Sequence, residues 1–185
     1  MIYPVTAYGD PVLRKKAIAI DKDYEGLTDI VQNMFDTMYH CSGVGLAAPQ
    51  IGKSIRLFVV DATPFAADDQ LADGFKRVFI NAEILGMEGK KWKFNEGCLS
   101  IPGVREDVER KDTITIRYQD LNFEHHTESY TGIRARIIQH EYDHIEGILF
   151  TDYLTPLKKQ LLKGRLNDIS KGKTDVDYRM KFYKR

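Results

Sequence analysis

The chain has 185 residues, its 27 basic side chains balance 27 acidic ones, and 43% of its residues are hydrophobic. This length suits one domain with a buried core, and the balanced charge gives the chain no overall basic bias towards nucleic acid, so we expect no specific DNA partner. The first residues lack the apolar core of a signal peptide, and no apolar run approaches the roughly 18 residues that cross a bilayer. We therefore expect a cytoplasmic protein without a membrane segment.

The first half of the chain predicts one helix and two strands. Apolar residues recur at helical spacing over residues 26–40, which predicts an amphipathic helix packed on the core. Runs of β-branched and aromatic residues predict strands at residues 55–61 and 78–84. Residues 63–74, between these strands, combine Pro, Asp, Ala and Gly and predict an exposed loop.

The second half predicts further strands and then two helices. Residues 91–94 and 113–118 alternate as strands, and residues 123–130 are expected to pair with the second of them through a tight turn. Helices are predicted at residues 132–145 and 156–170. Strands that lie between helices without regular alternation predict an α+β fold. We expect a single domain spanning the whole chain, with antiparallel or mixed strands around the first of these two helices and the second as a C-terminal helix.

The chain from residue 156 onward is strongly basic. Ten lysines and arginines face three aspartates there: Lys158, Lys159, Lys163, Arg165, Lys171, Lys173, Arg179, Lys181, Lys184 and Arg185 against Asp168, Asp175 and Asp177. One interpretation is a solvated helix face followed by a frayed end; the other is contact with an anionic surface such as RNA.

The predicted helix at 132–145 carries the pattern that indicates chemistry. His140 and His144 are four residues apart, so both imidazoles can reach one metal ion, while Glu141 points away and can handle a proton. Ile133 and Ile137 precede the histidines on the same helical stripe, which turns the imidazoles inward. Burying these groups without partners would be costly. The pattern predicts metal-assisted hydrolysis, against the alternative of a structural hydrogen-bonded cluster.

A catalytic metal site usually has a third protein ligand, which the helix does not supply. Phe150 stands where one protease family has a third histidine, and no glutamate follows it, although Asp152 and Asp168 remain open as ligands. Cys98 is the better candidate, because the glycine before it and the proline after it suit a bend with exposed backbone N–H groups.

The other strong donors are less suitable. His125 and His126 would point to opposite faces of a strand and are interpreted as solvent-edge residues. Cys41 is interpreted as an inert thiol, and neither cysteine is expected to form a disulfide in the cytoplasm. A thiolate with two imidazoles suits zinc, iron(II), nickel or cobalt equally well.

A segment rich in glycine and alanine at residues 43–52 is the third informative feature. Such a segment lets a backbone approach a ligand closely, and Gln50 offers an amide that can donate to a developing oxyanion. The segment has neither the Gly-Lys-Ser/Thr ending of a phosphate loop nor dinucleotide-binding glycines. Taken alone, it predicts a tight turn into the strand that follows.

Together, the three segments resemble the bacterial peptide deformylases, metallohydrolases that remove the formyl group from the N-terminal methionine of new polypeptides. Residues 43–50, 96–100 and 139–144 are similar to the three motifs of that family and occur in the same order. The resemblance covers essentially the whole chain. It implies that the substrate is a nascent formyl-Met peptide and that formate is released.

The resemblance implies one divalent metal ion, most often Fe(II) in the family, with nickel, cobalt or zinc as substitutes. It implies three ligands: Cys98, His140 and His144. It also implies Glu141 as general base and acid, with Gln50 and the backbone N–H of Leu99 donating to the oxyanion. Because a thiolate on iron(II) oxidises readily, activity is expected to be lost in air.

Further residues match substrate-binding positions of the family. Val44, Ile133 and Ile137 would form the apolar pocket for the methionine side chain, and Gly45 and Gly97 would bind the peptide backbone as an added strand.

Two arginines also match the family pattern. Arg105 is expected either to contact the peptide or to be a solvated strand residue, and Arg110 to pair with Glu96. Arg136, beside the pocket, departs from the pattern and leaves specificity open. The basic last helix resembles the element by which some members dock on the ribosome.

Two alternatives remain at this stage. A zinc endopeptidase or aminopeptidase would take its third ligand from beyond residue 150. A binding module with a structural metal would close the site with four protein ligands and would not need Glu141.

Overall fold

A five-stranded antiparallel sheet is the centre of the fold in the computed structural model, which describes residues 1–183. The described strands are β1 (Val5–Thr6), β2 (Gly45–Ala47), β3 (Leu57–Asp61), β4 (Lys76–Cys98), β5 (Ile101–Gln119), β6 (His125–Thr131) and β7 (Met180–Lys181). The described α-helices are α1 (Leu27–His40), α2 (Gly132–Ile145) and α3 (Pro156–Ser170). The large sheet has the order β2-β3-β4-β5-β6, so strands that follow one another in sequence also pair.

Helices α1 and α2 pack on opposite faces of this sheet. Because successive side chains of a strand point to opposite faces, β3 contributes to two cores. Phe58 and Val60 pack in the cluster that contains α2, whereas Leu57 and Val59 pack in the cluster that contains α1. The Phe58 ring stacks on Phe79 of β4 with centroids 4.7 Å apart. The predicted α+β fold around a central helix is therefore confirmed.

The predicted helices are confirmed: α2 and α3 have the predicted bounds, and α1 begins one residue later than predicted. α1 buries the apolar stripe that the sequence indicates, and the N-cap of α3 is Thr155, whose side chain accepts from Lys158 N–H. Residues 63–74 are mostly exposed, as expected, and contain two short 3₁₀ turns. No helix within residues 1–183 combines the length and apolar character that crossing a membrane requires.

The prediction of separate short strands at 78–84 and 91–94 was wrong. β4 is one strand of 23 residues, paired along most of its length with the 19 residues of β5. Its register shifts at several points, including between Ile84 and Gly86 and between Glu88 and Lys91. Bulges of this kind let a strand bend and continue through glycines that otherwise indicate a break. The long hairpin carries residues 94–110 across to α2.

The glycine segment and the tail also differ from the expectations. Residues 45–47 form the edge strand β2, and a 3₁₀ helix, Ala48–Ile51, follows it, so the segment is not a simple turn. The tail is not frayed after α3, because β7 pairs in parallel with β1. Lys184 and Arg185 of the basic tail lie outside the described residues.

Candidate active site

The end of β4 and the inner face of α2 bring a thiol and two imidazoles together. Cys98 is the last residue of β4, where the register with β5 breaks and the chain turns back to Ile101. Its Sγ lies 3.3 Å from His144 Nε2, and donor atoms of Cys98, His140 and His144 all lie within 4.8 Å of one another. The two imidazole rings are 5.1 Å apart, as the spacing of four residues predicts.

The donor atoms suit a divalent metal ion. His140 Nδ1 lies 2.9 Å from Glu96 Oε2, which leaves Nε2 for a ligand. Burial lowers the pKa of His144 and keeps the imidazole in its neutral, metal-binding form. One sulfur and two imidazole nitrogens with a carboxylate behind one imidazole form a set that divalent metals such as zinc or iron(II) prefer.

The other candidate donors lie elsewhere. Asp152 binds the guanidinium of Arg14, and Asp168 lies 3.8 Å from Lys173 Nζ on the tail. His126, on the edge strand β6, is 3.0 Å from Asp120 Oδ2 and is not in the group formed by Cys98, His140 and His144. Cys41 is a buried free thiol, as expected, and burial raises its pKa to about 11, which keeps it protonated at neutral pH.

A buried ion network holds His140. Glu96 accepts from Arg110 Nε at 2.7 Å and Nη2 at 3.0 Å, and from Arg136 Nη1 at 2.9 Å. Arg110 also donates from Nη1 to Asp143 at 2.7 Å. Burial opposes the charge on Glu96, but the hydrogen bonds from His140 and Arg110 hold its pKa well below its usual range. The expected pairing of Arg110 with Glu96 is therefore present.

Arg136 is a member of this network that the sequence interpretation missed. It is 2% exposed and donates to the carbonyls of Val108 and Trp92 as well as to Glu96. Its position four residues before His140 puts it on the inward stripe of α2, and this spacing was a signal for a buried role. An arginine on such a stripe needs an acidic partner, and the partner here is on β4.

Glu141 lies beside the metal-ligand group without a charged partner of its own. It is 4% exposed, its Oε2 has no hydrogen-bond partner among the described residues, and burial raises its pKa to about 7. A Cβ added at Gly45 would lie 2.7 Å from Glu141 Cγ. The absence of a side chain at this position of β2 therefore makes room for the carboxylate.

Gln50 directs its amide group towards the same place. Its Oε1 accepts from Ala47 N–H at 2.8 Å, which turns Nε2 towards Cys98 Sγ and Ser100 Oγ, each 3.4 Å away. Leu99 follows Cys98 in the turn between β4 and β5, and its carbonyl accepts from the Tyr178 hydroxyl at 2.8 Å. The Gln50 amide thus lies beside the sulfur, and Leu99 is the next residue in the chain.

A cleft of about 490 Å³ opens onto this group. Residues predicted to contact substrate form part of its wall: Val44, Gly45, Gly97, Arg105 and Ile137. Arg105 bridges the side chain and carbonyl of Asn95 at the rim. Ile133, also predicted to contact substrate, packs in the same core cluster one helical turn before Ile137 and is not among the residues that line this cleft. Wall residues that the sequence did not reveal include Phe65, Phe94, Val176 and Tyr178.

A protein-family model described as polypeptide deformylase matches residues 2–160. The chain belongs to this family. It is 58% identical over 189 residues to the peptide deformylase of Christiangramia forsetii, covering 98% of this chain and 96% of the relative. The peptide deformylase of Flavobacterium johnsoniae is 57% identical over 189 residues, covering 98% and 96%.

Solved structures agree with this assignment. The crystal structure of peptide deformylase from Thermotoga maritima has a TM-score of 0.76 and 39% identity, covering 84% of this chain and 99% of that one. A peptide deformylase from Legionella pneumophila has a TM-score of 0.79 and 37% identity, covering 92% and 96%. The protein is therefore an enzyme of the metal-dependent hydrolase family that removes the N-formyl group from nascent peptides. The endopeptidase and binding-module alternatives are rejected.

Replacing Gly45 by alanine tests the close contact between β2 and Glu141. The added Cβ would overlap Glu141 Cγ and Cδ, so we expect displacement of the carboxylate, a loss of stability of about 1–3 kcal/mol and at least tenfold slower formate release. Gly86→Ala is the matched control, because a Cβ there meets nothing within 4 Å. Equal activity and melting temperature for the two variants would contradict the prediction.

Replacing Arg110 by methionine tests the buried network. The change leaves Glu96 and Asp143 without their shared cation, so we expect the free energy of unfolding in urea to fall by about 3–5 kcal/mol. Arg117→Met, also on β5, removes a pair with Glu83 that is about half exposed, and should cost at most about 1 kcal/mol. A similar fall in the free energy of unfolding for both variants would show that burial of the network does not add to its contribution to stability.

Proposed function

We propose that this chain deformylates formyl-methionine peptides at a centre in which Cys98, His140 and His144 hold one divalent metal ion. The convergence of these three donors within 4.8 Å, in a cleft beside a buried glutamate, is the observation that carries the proposal. When bound, the metal supplies a Lewis acid that polarises the formyl group and makes water more acidic.

Glu141 is proposed as the general base and acid. A carboxyl with a pKa raised to about 7 by burial can take the proton of the attacking water and return it to the leaving amine at neutral pH. Gly45 supports this role, because it leaves the space that the carboxylate occupies. The products are formate and a peptide with a free N-terminus.

Gln50 and Leu99 are proposed as the oxyanion donors. The bond from Ala47 N–H fixes the amide of Gln50 with Nε2 towards Cys98, so no reorientation is needed during the reaction. The Leu99 N–H belongs to the peptide unit next to the sulfur. The Gln50 amide is therefore oriented before substrate arrives, which is the condition for effective stabilisation of developing charge.

The substrate is proposed to bind as an extra strand. β2 is an edge strand of the sheet, so the backbone of Gly45 has a free side to which an extended peptide can hydrogen-bond, with Gly97 opposite. The methionine side chain would enter the apolar part of the cleft, beside Val44 and Ile137, and Arg105 stands at the rim where the peptide leaves.

The metal is proposed to be Fe(II), with nickel, cobalt or zinc as substitutes. The mixed sulfur and nitrogen donors suit all four ions, and the thiolate makes an iron-loaded site sensitive to oxygen. We also propose that the enzyme acts in the cytoplasm, where nascent chains are made.

Two substitutions separate metal binding from proton transfer. Purified anaerobically, the wild type should hold one metal ion per chain and release formate from a formyl-Met peptide. Cys98→Ala should lose both the metal and activity, whereas Glu141→Gln should keep the metal and lose activity roughly 10²- to 10⁴-fold. Metal content and formate release are measured on the same samples.

Cys41→Ala is the control for removing a thiol, and it should keep metal and activity because this cysteine lies outside the ligand group. Air should inactivate the iron-loaded wild type faster than the nickel-loaded one. Retention of metal and activity by Cys98→Ala would refute the proposed centre.

The exposed face of α3 is proposed to contact the ribosome. Lys159, Lys163 and Arg165 are exposed there, and Leu157 and Leu161 are 71% and 74% exposed beside them. Basic side chains attract the phosphates of ribosomal RNA, and the exposed leucines add apolar area.

Cosedimentation with ribosomes at low salt tests this surface. The double change Lys163→Glu with Arg165→Glu should weaken binding about tenfold or more and leave turnover of a short peptide unchanged. Lys22→Glu with Lys90→Glu changes two other exposed lysines by the same charge and should leave binding close to that of the wild type. An equal loss of ribosome binding in both double variants would show that only net charge matters and would contradict a specific contact surface on α3.

A further inference from the structure

The chain after α3 turns back to the active-site cleft. Residues 171–183 leave the end of the helix, and β7 then pairs with β1, with Val5 N–H donating to the Arg179 carbonyl at 2.8 Å and Ala7 N–H to the Lys181 carbonyl at 2.9 Å. Between α3 and β7, Val176 and Tyr178 reach the wall of the cleft. This part of the tail lies beyond residues 2–160, which match the family model.

Tyr178 makes the most direct contact between the tail and the reaction centre. Its hydroxyl donates to the carbonyl of Leu99 at 2.8 Å. A carbonyl can only accept, so the direction of this hydrogen bond is unambiguous. The next carbonyl, that of Ser100, accepts from Tyr8 N–H at 2.8 Å. The Leu99–Ser100 and Ser100–Ile101 peptide units, directly after the unit that carries the Leu99 N–H, are therefore held from outside the hairpin, one by the tail and one by the amino-terminal segment.

External support matters here because Leu99 and Ser100 have no partners in the β4–β5 ladder. The register between β4 and β5 shifts between Gly97 and Cys98, and Cys98 pairs with Ile101 across the turn. Leu99 and Ser100 lie in the turn between these strands, outside the regular ladder. Rotation of the Leu99 backbone would move its N–H relative to the sulfur, and oxyanion donors act only when their direction is fixed.

We propose that Tyr178 is a positioning residue for deformylation, holding the Leu99 backbone so that its N–H keeps the direction needed to stabilise the oxyanion. The proposal rests on the proposed role of Leu99. Tyr178 acts through its hydrogen bond to the Leu99 carbonyl. The pairing of β7 with β1 anchors the tail two residues later and keeps the hydroxyl in place. A segment outside the family model thereby completes the preorganisation of the oxyanion site.

The test is Tyr178→Phe in the full-length, metal-loaded enzyme. The change keeps the ring and removes only the hydroxyl, so the tail should stay in place. We expect kcat for formate release to fall about five- to tenfold, the loss that one neutral hydrogen bond produces, with KM and metal content close to those of the wild type. Inhibition by the deformylated product peptide should not change, because the product carries no oxyanion.

Tyr183→Phe is the matched control. This tail tyrosine is 50% exposed, and among the described residues it makes no hydrogen bond to the Leu99 turn. It should leave kcat unchanged. Wild-type kcat in Tyr178→Phe would overturn the proposal. A fall in kcat accompanied by loss of metal and a lower melting temperature would also overturn it, because the tyrosine would then be a structural clamp only.

Failure of this inference is distinguishable from failure of the proposed centre. If Cys98→Ala and Glu141→Gln behave as predicted while Tyr178→Phe matches the wild type, only the role of Tyr178 is refuted. If Cys98→Ala keeps metal and activity, the centre itself is refuted and the role of Tyr178 with it.

Discussion

The buried carboxylate of Glu96 is the interaction on which the candidate site depends. It accepts hydrogen bonds from two arginines and faces His140 Nδ1, so it joins β4, β5 and α2 at one point. An isolated carboxylate at 4% exposure would be too costly to bury, and so would either arginine. The three charges are stable inside only together, and this requirement fixes how α2 lies against the hairpin.

The length of the hairpin follows from the same requirement. Arg110 on β5 pairs with Trp92 and reaches along the hairpin to Glu96, whose own partner is Glu106, so the network needs both strands to be paired over these residues. Continuing β4 two residues beyond Glu96 places Cys98 opposite α2, next to His144. Thus β4 contributes Glu96 to the charge network and, two residues later, Cys98 to the metal-ligand group. Bulges supply the bend that carries this strand from the core to the helix.

The sequence predicted the parts of the fold and the candidate site that depend on local spacing. The pair His140 and His144, the helix that carries them and the alternation within the strands are all set by neighbours in the chain. It did not predict the continuity of β4, because glycines within a bulged strand look like breaks. Nor did it predict the burial of Arg136 or the approach of Tyr178, since each depends on contacts between residues distant in sequence.

Two glutamates near the same histidine have opposite electrostatic environments, and the placement of the arginines explains the difference. Glu96 and Glu141 are both 4% exposed, so burial raises the pKa of each. The hydrogen bonds of His140 and Arg110 go to Glu96 and hold it ionised, whereas Glu141 has no such partner and its pKa rises to about 7. The negative charge of Glu96 raises the pKa of Glu141 further. The same placement of cations therefore keeps Glu96 as a fixed anion that orients His140 and leaves Glu141 able to exchange a proton. Substituting an arginine of the network should thus alter proton transfer as well as stability.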